Sequence, residues 1–172
     1  MRRAARVTTV LALASAATAA ALAADPAPPE SQSATVFGPT NLPLAQGAAA
    51  LEEGRIEEGI RLTLEGLSIP TDPQNRAAGY SNLCAGYAAL KKWDEALKHC
   101  NTALSIDPRN WRTFNNRAAV HAGRGDYDEA IRDLRVGLDI SPHSRTLHES
   151  LRIIQQNKRL MAARSRSAIR SP

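Results

Sequence analysis

Apolar side chains recur at every third or fourth position through the middle of the chain. The first such stripe consists of Tyr80, Leu83, Tyr87 and Leu90. After the polar pair Lys91-Lys92, a second stripe consists of Trp93, Ala96, Leu97, Cys100, Ala103 and Leu104. This spacing places apolar residues on one face of an α-helix, and Asp107-Pro108 marks the end of the second helix because proline is common just after a helix end. The pattern therefore predicts a helical hairpin.

This hairpin is repeated once along the chain. When residues 80–108 are shifted by 34 positions, they align with residues 114–142. The aligned pairs are Tyr80/Phe114, Cys84/Ala118, Trp93/Tyr127, Asp94/Asp128, Glu95/Glu129, Ala96/Ala130, Leu97/Ile131, Leu104/Leu138, Ile106/Ile140 and Pro108/Pro142. A period of roughly 20 to 50 residues indicates stacked units that bury their apolar faces against each other. Because such arrays present surfaces, the repeat favours a binding protein over an enzyme.

The two units resemble the tetratricopeptide repeat, a helix–turn–helix with characteristic aromatic, small and proline positions. The first unit supplies Tyr80, Cys84, Tyr87, Ala96, Ala103 and Pro108 at these positions. The second supplies Phe114, Ala118, Ala130, Gly137 and Pro142, with His121 where an aromatic residue is usual. The small residues are expected where helices approach closely, since larger side chains would force them apart. The resemblance implies an all-α helical-hairpin solenoid.

About three repeats and a capping helix are expected over residues 44–162. The clear repeats are residues 77–110 and 111–144. Residues 44–75 form a degenerate repeat, in which Gly59 replaces the usual alanine and extra residues around 71–75 break the period. Residues 145–162 continue a helical pattern and resemble the solvating cap that closes such arrays.

The two ends of the chain differ in composition from the repeats. Residues 1–23 begin with basic residues and continue as an uncharged, alanine-rich stretch, which predicts a cleaved secretory signal peptide. The alternative is an uncleaved N-terminal membrane anchor. The Pro-rich residues 24–43 are predicted to form a disordered tether, and residues 163–172 a basic disordered tail. We therefore expect export across the inner membrane of a bacterium, into the periplasm.

Positive charge is concentrated near the C-terminus. Residues 24–151 contain more acidic than basic residues, whereas residues 152–172 contain no acid. The basic residues there are Arg152, Lys158, Arg159, Arg164, Arg166 and Arg170. The basic tail within this segment, residues 158–170, is either the solvated end of a helix or an electrostatic anchor for acidic protein, anionic lipid or an anionic envelope polymer. Nucleic acid is not an expected partner, because the tail has no aromatic residues to stack on bases.

Cys84 and Cys100 are the only cysteines. In the repeat they occupy positions at nearly the same height on two antiparallel helices, and an exported protein meets oxidising conditions. A disulfide between them is therefore a candidate, and the alternative is two buried thiols. The spacing is not Cys-x-x-Cys, so redox catalysis is not expected.

No set of residues predicts catalysis, a cofactor or a metal. The histidines His99, His121, His143 and His148 lack ligand spacing. The acidic clusters, Asp94-Glu95 and Asp126, Asp128 and Glu129, are explained by the stabilising effect of carboxylates at helix N-termini. Arg117 is expected to pair with Asp133 on the partner helix, and the alternative is that it reaches a ligand.

The family resemblance also implies a binding groove on the concave face. Its lining positions hold Ala78, Ser81, Ala85, Ala88 and Ala89 in the first clear repeat, and Arg112, Asn115, Ala119, Ala122 and Gly123 in the second. Family members that clamp the carboxylate end of chaperone peptides use Lys and Asn where Ser81 and Ala85 stand, so that activity is not expected. The candidate partner-binding residues are Arg112, Asn115, Asn82 and Asn116. For Asn82 and Asn116 a structural role is the alternative.

The expected function is an exported, non-catalytic protein–protein interaction module or adaptor. It would bind a peptide or protein segment on the concave face of the array. The alternative is a structural subunit or a self-associating component of an envelope assembly.

Overall fold

Residues 41–170 are described in the computed structural model, with side chains up to residue 166. Within this range all the regular structure is α-helical. The helices are α1 Leu42–Glu52, α2 Ile56–Ser68, α3 Pro73–Ala89, α4 Trp93–Ile106, α5 Trp111–Arg124, α6 Tyr127–Ile140 and α7 Arg145–Arg170. The predicted signal peptide, residues 1–23, and residues 24–40 of the predicted tether lie outside the described residues. Across residues 41–170, no helix is both long enough and apolar enough to cross a membrane.

The first helix of each hairpin begins at a side-chain cap. Asn41, Asp72 and Asn110 each accept a hydrogen bond from a backbone N–H in the following turn, over 3.2, 2.9 and 3.2 Å respectively. The second helices have no such cap. Instead their first turns carry the acidic residues Glu57, Glu58, Asp94, Glu95, Asp128 and Glu129. Carboxylates there complement the helix dipole, as the sequence predicted. Asp126, the N-cap residue of α6, differs from the prediction in that its side chain makes no capping hydrogen bond.

The helices stack as successive hairpins. The pairs α1/α2, α3/α4 and α5/α6 each pack closely, and α7 packs on α6. The first helices also contact each other, α1 with α3 and α3 with α5. This arrangement is the predicted all-α helical-hairpin solenoid, in which the first helices form the inner layer.

Small residues lie where helices approach closely. A Cβ atom at Gly79 would lie 2.8 Å from Leu67, and one at Gly86 would lie 2.7 Å from Ile60. The alanines at the equivalent close contacts, Ala96, Ala103, Ala118 and Ala130, are fully buried. Since protein interiors are close-packed, larger side chains here would separate the helices. The predicted role of these positions is confirmed.

Three boundaries differ from those expected from composition. Helix α1 begins at Leu42, so residues 42–43 of the predicted tether are helical, because Asn41 caps them and proline is well tolerated in a first turn. Helix α3 begins at Pro73 after its cap Asp72, so residues 73–75 of the predicted degenerate repeat belong to the first helix of the next repeat. Helix α7 runs to Arg170, so residues 163–170 of the predicted disordered tail are helical. Alanine and arginine favour helix, and a helix that continues from a packed segment needs no new nucleus.

Candidate functional site

The inner surface formed by α3 and α5 carries small side chains. On α3, Ala78 is exposed, and Ala85, Ala88 and Ala89 are half-buried. On α5, Ala119 and Gly123 are exposed and Ala122 is half-buried. Ile153 on α7 stands 34 residues, one repeat length, after Ala119 and is half-buried. It therefore occupies the equivalent position, and α7 continues this surface beside α5. We call this surface the inner groove.

Arg112 lies at the start of α5, at one end of the inner groove. Its side chain is exposed, and its Cζ atom is 4.4 Å from the centroid of the Trp111 ring. Trp111 in turn packs against the core cluster around Leu134 and Leu147. A guanidinium above an aromatic ring is attracted by the negative electrostatic potential of the ring face, so Trp111 holds this cation in place.

Asn115 is not the open polar group that the sequence predicted. It is only 4% exposed, and its Oδ1 atom is buried with no hydrogen-bond partner among the described residues. The difference arises because α5 has inner helices on both sides, α3 and α7, and not a free flank. A ligand could reach Asn115 only after the neighbouring side chains moved.

Asn116 connects two inner helices. Its Nδ2 atom donates to the backbone oxygen of Ser81 over 3.3 Å and to the Ser81 Oγ over 3.2 Å. These hydrogen bonds give Asn116 the structural role that was the alternative to partner binding, and Ser81 itself is buried. Asn82, at the equivalent position of α3, is half-buried, and its partner-binding role stays a prediction.

Cys84 and Cys100 meet between α3 and α4. Both are fully buried, their Cα atoms are 5.1 Å apart, and the structure joins them as a disulfide. This separation lies within the roughly 4.4–6.8 Å range of disulfides. They form a core cluster with Ala96 and Val120, so a bridge here links the two helices of one hairpin at its centre.

Arg117 pairs with Asp133, as the sequence predicted. Its Nε donates to one carboxylate oxygen over 2.8 Å and its Nη2 to the other over 2.7 Å. Its Nη1 donates to Asn101 over 2.8 Å, so the network joins α4, α5 and α6. The Nε2 of His121 lies 3.8 Å from Asp133. These partners account for Arg117 without a ligand.

His99 is stacked between two aromatic rings. Its ring centroid is 6.0 Å from that of Tyr80 and 5.2 Å from that of Tyr87, with the planes nearly parallel. Burial lowers the pKa of His99, and the nearby charge of Lys98 lowers it further. Across residues 41–166, no three His, Cys, Asp or Glu side chains gather closely enough to hold a metal ion.

A depression of about 510 Å³ next to the α3–α4 turn was not anticipated from the sequence. It is lined by Lys91, Lys92, Trp93, Asp94, Glu95, Gly123 and Arg124. Arg124 donates to Asp94 over 2.8 Å, and a Cβ atom at Gly123 would lie 2.5 Å from Trp93. Charges of both signs line the depression, so it does not favour a ligand of one charge.

Part of the chain is similar to a known family of repeats. Residues 83–155 match the family model described as tetratricopeptide repeat. Heat shock protein STI1 of Saccharomyces cerevisiae is 30% identical over 106 residues, which are 62% of this chain and 18% of that protein. The tetratricopeptide repeat and J domain-containing co-chaperone DNJ1 of Mycosarcoma maydis is 36% identical over 78 residues, 45% of this chain and 13% of that protein. The chain thus spans less than a fifth of the length of these relatives.

Solved structures show the same fold. The Arabidopsis OM64 TPR domain is similar with a TM-score of 0.60 and 21% identity, over 67% of this chain and 93% of that one. The first TPR domain of human RPAP3 is similar with a TM-score of 0.62 and 23% identity, over 73% of this chain and 94% of that one. The described residues therefore have the architecture of a tetratricopeptide-type solenoid.

Proposed function

We propose that this chain is a non-catalytic protein–protein interaction module that binds a peptide or protein segment in the inner groove. The observation that carries the proposal is the row of exposed and half-buried small residues on adjacent inner helices. Small side chains leave a trough in which the larger side chains of another chain can lie. The trough is formed by packed helices and not by loops, so it keeps its shape when a partner binds.

Arg112 suggests the chemistry of the bound segment. An exposed guanidinium held over Trp111 recognises a carboxylate through charge-assisted hydrogen bonds. The first TPR of Spaghetti (RPAP3), a protein of similar fold, binds an HSP90 peptide, SRMEEVD. We infer that this chain also takes a segment with an acidic group, here directed to Arg112. The clamp on Lys and Asn is not the means, since Ser81 is buried and bonded to Asn116.

Photo-crosslinking tests the groove. A photoreactive amino acid replaces either Ala119, which is exposed in the inner groove, or Ser105, which is exposed on the outer helix α4. We expect position 119 to capture one defined partner that position 105 does not capture. Arg112→Glu should reduce the yield of this crosslink at least tenfold. The matched control Arg135→Glu, on the exposed surface of α6, should leave the yield unchanged. Equal capture at both positions would exclude the groove as the binding site.

We further propose that the protein is exported to the periplasm with a Cys84–Cys100 disulfide. The basic, then alanine-rich start of the sequence supports export, and the 5.1 Å separation of the two Cα atoms supports the bridge. The full sequence should be expressed in a bacterial host and the product's intact mass measured after alkylation in denaturant. We expect loss of residues 1–23 and no alkylation unless a reductant is added. A retained start would favour the membrane-anchored alternative, and two alkylated thiols would contradict the bridge.

A further inference from the structure

Helix α7 continues past the body of the array. Lys158 forms an ion pair with Asp128 in the first turn of α6, which marks where the antiparallel packing of α7 on α6 ends. Beyond it, every residue from 159 to 166 is exposed, although the helix continues to Arg170. We call residues 159–166 the overhang. A helical segment this exposed gains little from the core of its own chain.

The overhang combines positive charge with apolar side chains. It contains Arg159, Arg164 and Arg166 and no acidic residue. Leu160 is 52% exposed and Met161 is 48% exposed. A short helix is marginally stable by itself in water, and exposed apolar area favours burial against another surface. A complementary surface would be acidic and would carry large apolar residues of its own.

Such a surface lies on α2, at the opposite end of the array. Residues Glu57, Glu58, Leu64 and Glu65 are exposed on one side of the helix, and Ile69 follows its last turn. Leu64 is 47% exposed and Ile69 is 43% exposed. We call these five residues the acidic α2 face. Of the six large apolar residues exposed between residues 41 and 166, four lie on this face and the overhang.

We propose that the overhang of one molecule docks on the acidic α2 face of a second copy of this chain. Arg55 pairs with Glu53 and Glu58, and Arg61 pairs with Glu65, but α2 and the turn before it still have an excess of acid, because residues 52–65 contain five glutamates and two arginines. The overhang therefore has the opposite net charge, and each surface has two exposed large apolar residues that the contact would cover. They lie at opposite ends of the array, because α2 belongs to the first hairpin whereas α7 packs on α5 and α6 of the last one. The contact is therefore head-to-tail, and repetition of it gives rings or open chains. It does not depend on the inner groove.

Complementation between two variants of the full chain tests this contact. The overhang variant is R159Q/R164Q/R166Q, and the face variant is E57Q/E58Q/E65Q. We expect the wild-type mass, measured by sedimentation velocity, to rise with concentration and to fall with added salt. Each variant alone should weaken association at least tenfold. An equimolar mixture should restore a 1:1 complex, since each variant retains one intact surface, and larger species should be absent.

The control is K98Q/R109Q/R135Q, which removes three positive charges from exposed positions elsewhere and should associate like wild type. All the substituted side chains are exposed, so circular dichroism should be unchanged. A wild-type protein that stays monomeric overturns the proposal, and so does a face variant that associates like wild type. Binding to phosphatidylglycerol vesicles that is lost in the overhang variant, without self-association, would instead identify an anionic membrane as the partner.

Discussion

Lys91 adopts a left-handed backbone conformation in the turn between α3 and α4, with φ 58°. The equivalent turns of the other two hairpins use Gly54, with φ 79°, and Gly125, with φ 91°. A residue with a Cβ atom is destabilised by about 1–2 kcal/mol in the left-handed region, and glycine is not. Glycine has more conformational freedom in the unfolded chain, so part of this gain is lost when glycine replaces lysine. We predict that Lys91→Gly raises the free energy of unfolding by about 0.5–1 kcal/mol, measured by urea denaturation.

Gly125 provides the reverse substitution. No atom lies within 4 Å of a Cβ built there, so Gly125→Ala adds backbone strain without a steric clash. We expect it to lower the free energy of unfolding by about 1 kcal/mol. Shifts of the same sign in both variants would show that backbone strain does not decide stability in these turns.

His99 makes stability depend on pH. Burial between Tyr80 and Tyr87 lowers its pKa below the ordinary value of 6.5, so the folded protein binds this proton more weakly than the unfolded chain does. As the pH falls below about 6.5, the unfolded state takes up more protons and the free energy of unfolding decreases. His99→Phe should reduce this decrease between pH 7.5 and 5.5, measured by urea denaturation at both values. Lys98→Gln should reduce it in part, and an unchanged decrease in His99→Phe would assign it to other groups.

At the scale of the helices, the Arg117–Asp133 pair joins α5 to α6, and Arg117 also reaches α4 through Asn101. The Asp133 side chain is 10% exposed and that of Arg117 is 23% exposed. Asp133→Leu leaves this half-buried guanidinium without its carboxylate. We predict that it lowers the free energy of unfolding by about 3 kcal/mol, measured by urea denaturation.

The double variant R117L/D133L distinguishes the pair from simple packing. With both charges removed, neither is left buried without its partner, so the double variant should be more stable than D133L alone. A loss equal to the sum of the two single losses would mean that the residues act independently. The pair could be predicted because the repeat places Arg117 and Asp133 at the same height on two adjacent helices. The sequence did not indicate the additional hydrogen bond from Arg117 to Asn101.

The hairpins could be predicted because one periodicity fixes both the helix and its buried face. The inner groove could be predicted only in part. Asn115 is covered because α7 lies beside α5, and the contact of Asn116 with Ser81 joins residues 35 positions apart. Both depend on how neighbouring units stack. Helix α7 is longer than predicted because alanine and arginine favour helix and extend a segment that already packs on the array.

At the scale of the whole molecule, the proposed binding functions use separate surfaces. The inner groove is formed by α3, α5 and α7, whereas the self-association contact uses the overhang and α2 at opposite ends of the array. A partner in the groove and a second copy at the ends can therefore be bound together. A head-to-tail assembly would repeat the inner groove along its length and so raise the local concentration of binding sites.

Deletion of residues 159–172 separates the stability of the array from its assembly. Residues 159–166 are exposed, so we predict that this deletion changes the free energy of unfolding of the monomer by less than about 0.5 kcal/mol. Leu147, in the packed part of α7, is fully buried beside Gly137, and Leu147→Ala should cost about 2–4 kcal/mol. Urea denaturation of the two variants, at a protein concentration too low for self-association, compares their free energies of unfolding. Sedimentation velocity at high protein concentration should show no assembly of the deletion variant. A loss near that of Leu147→Ala would mean that the overhang stabilises its own molecule, and the basis for its docking on a second copy would be removed.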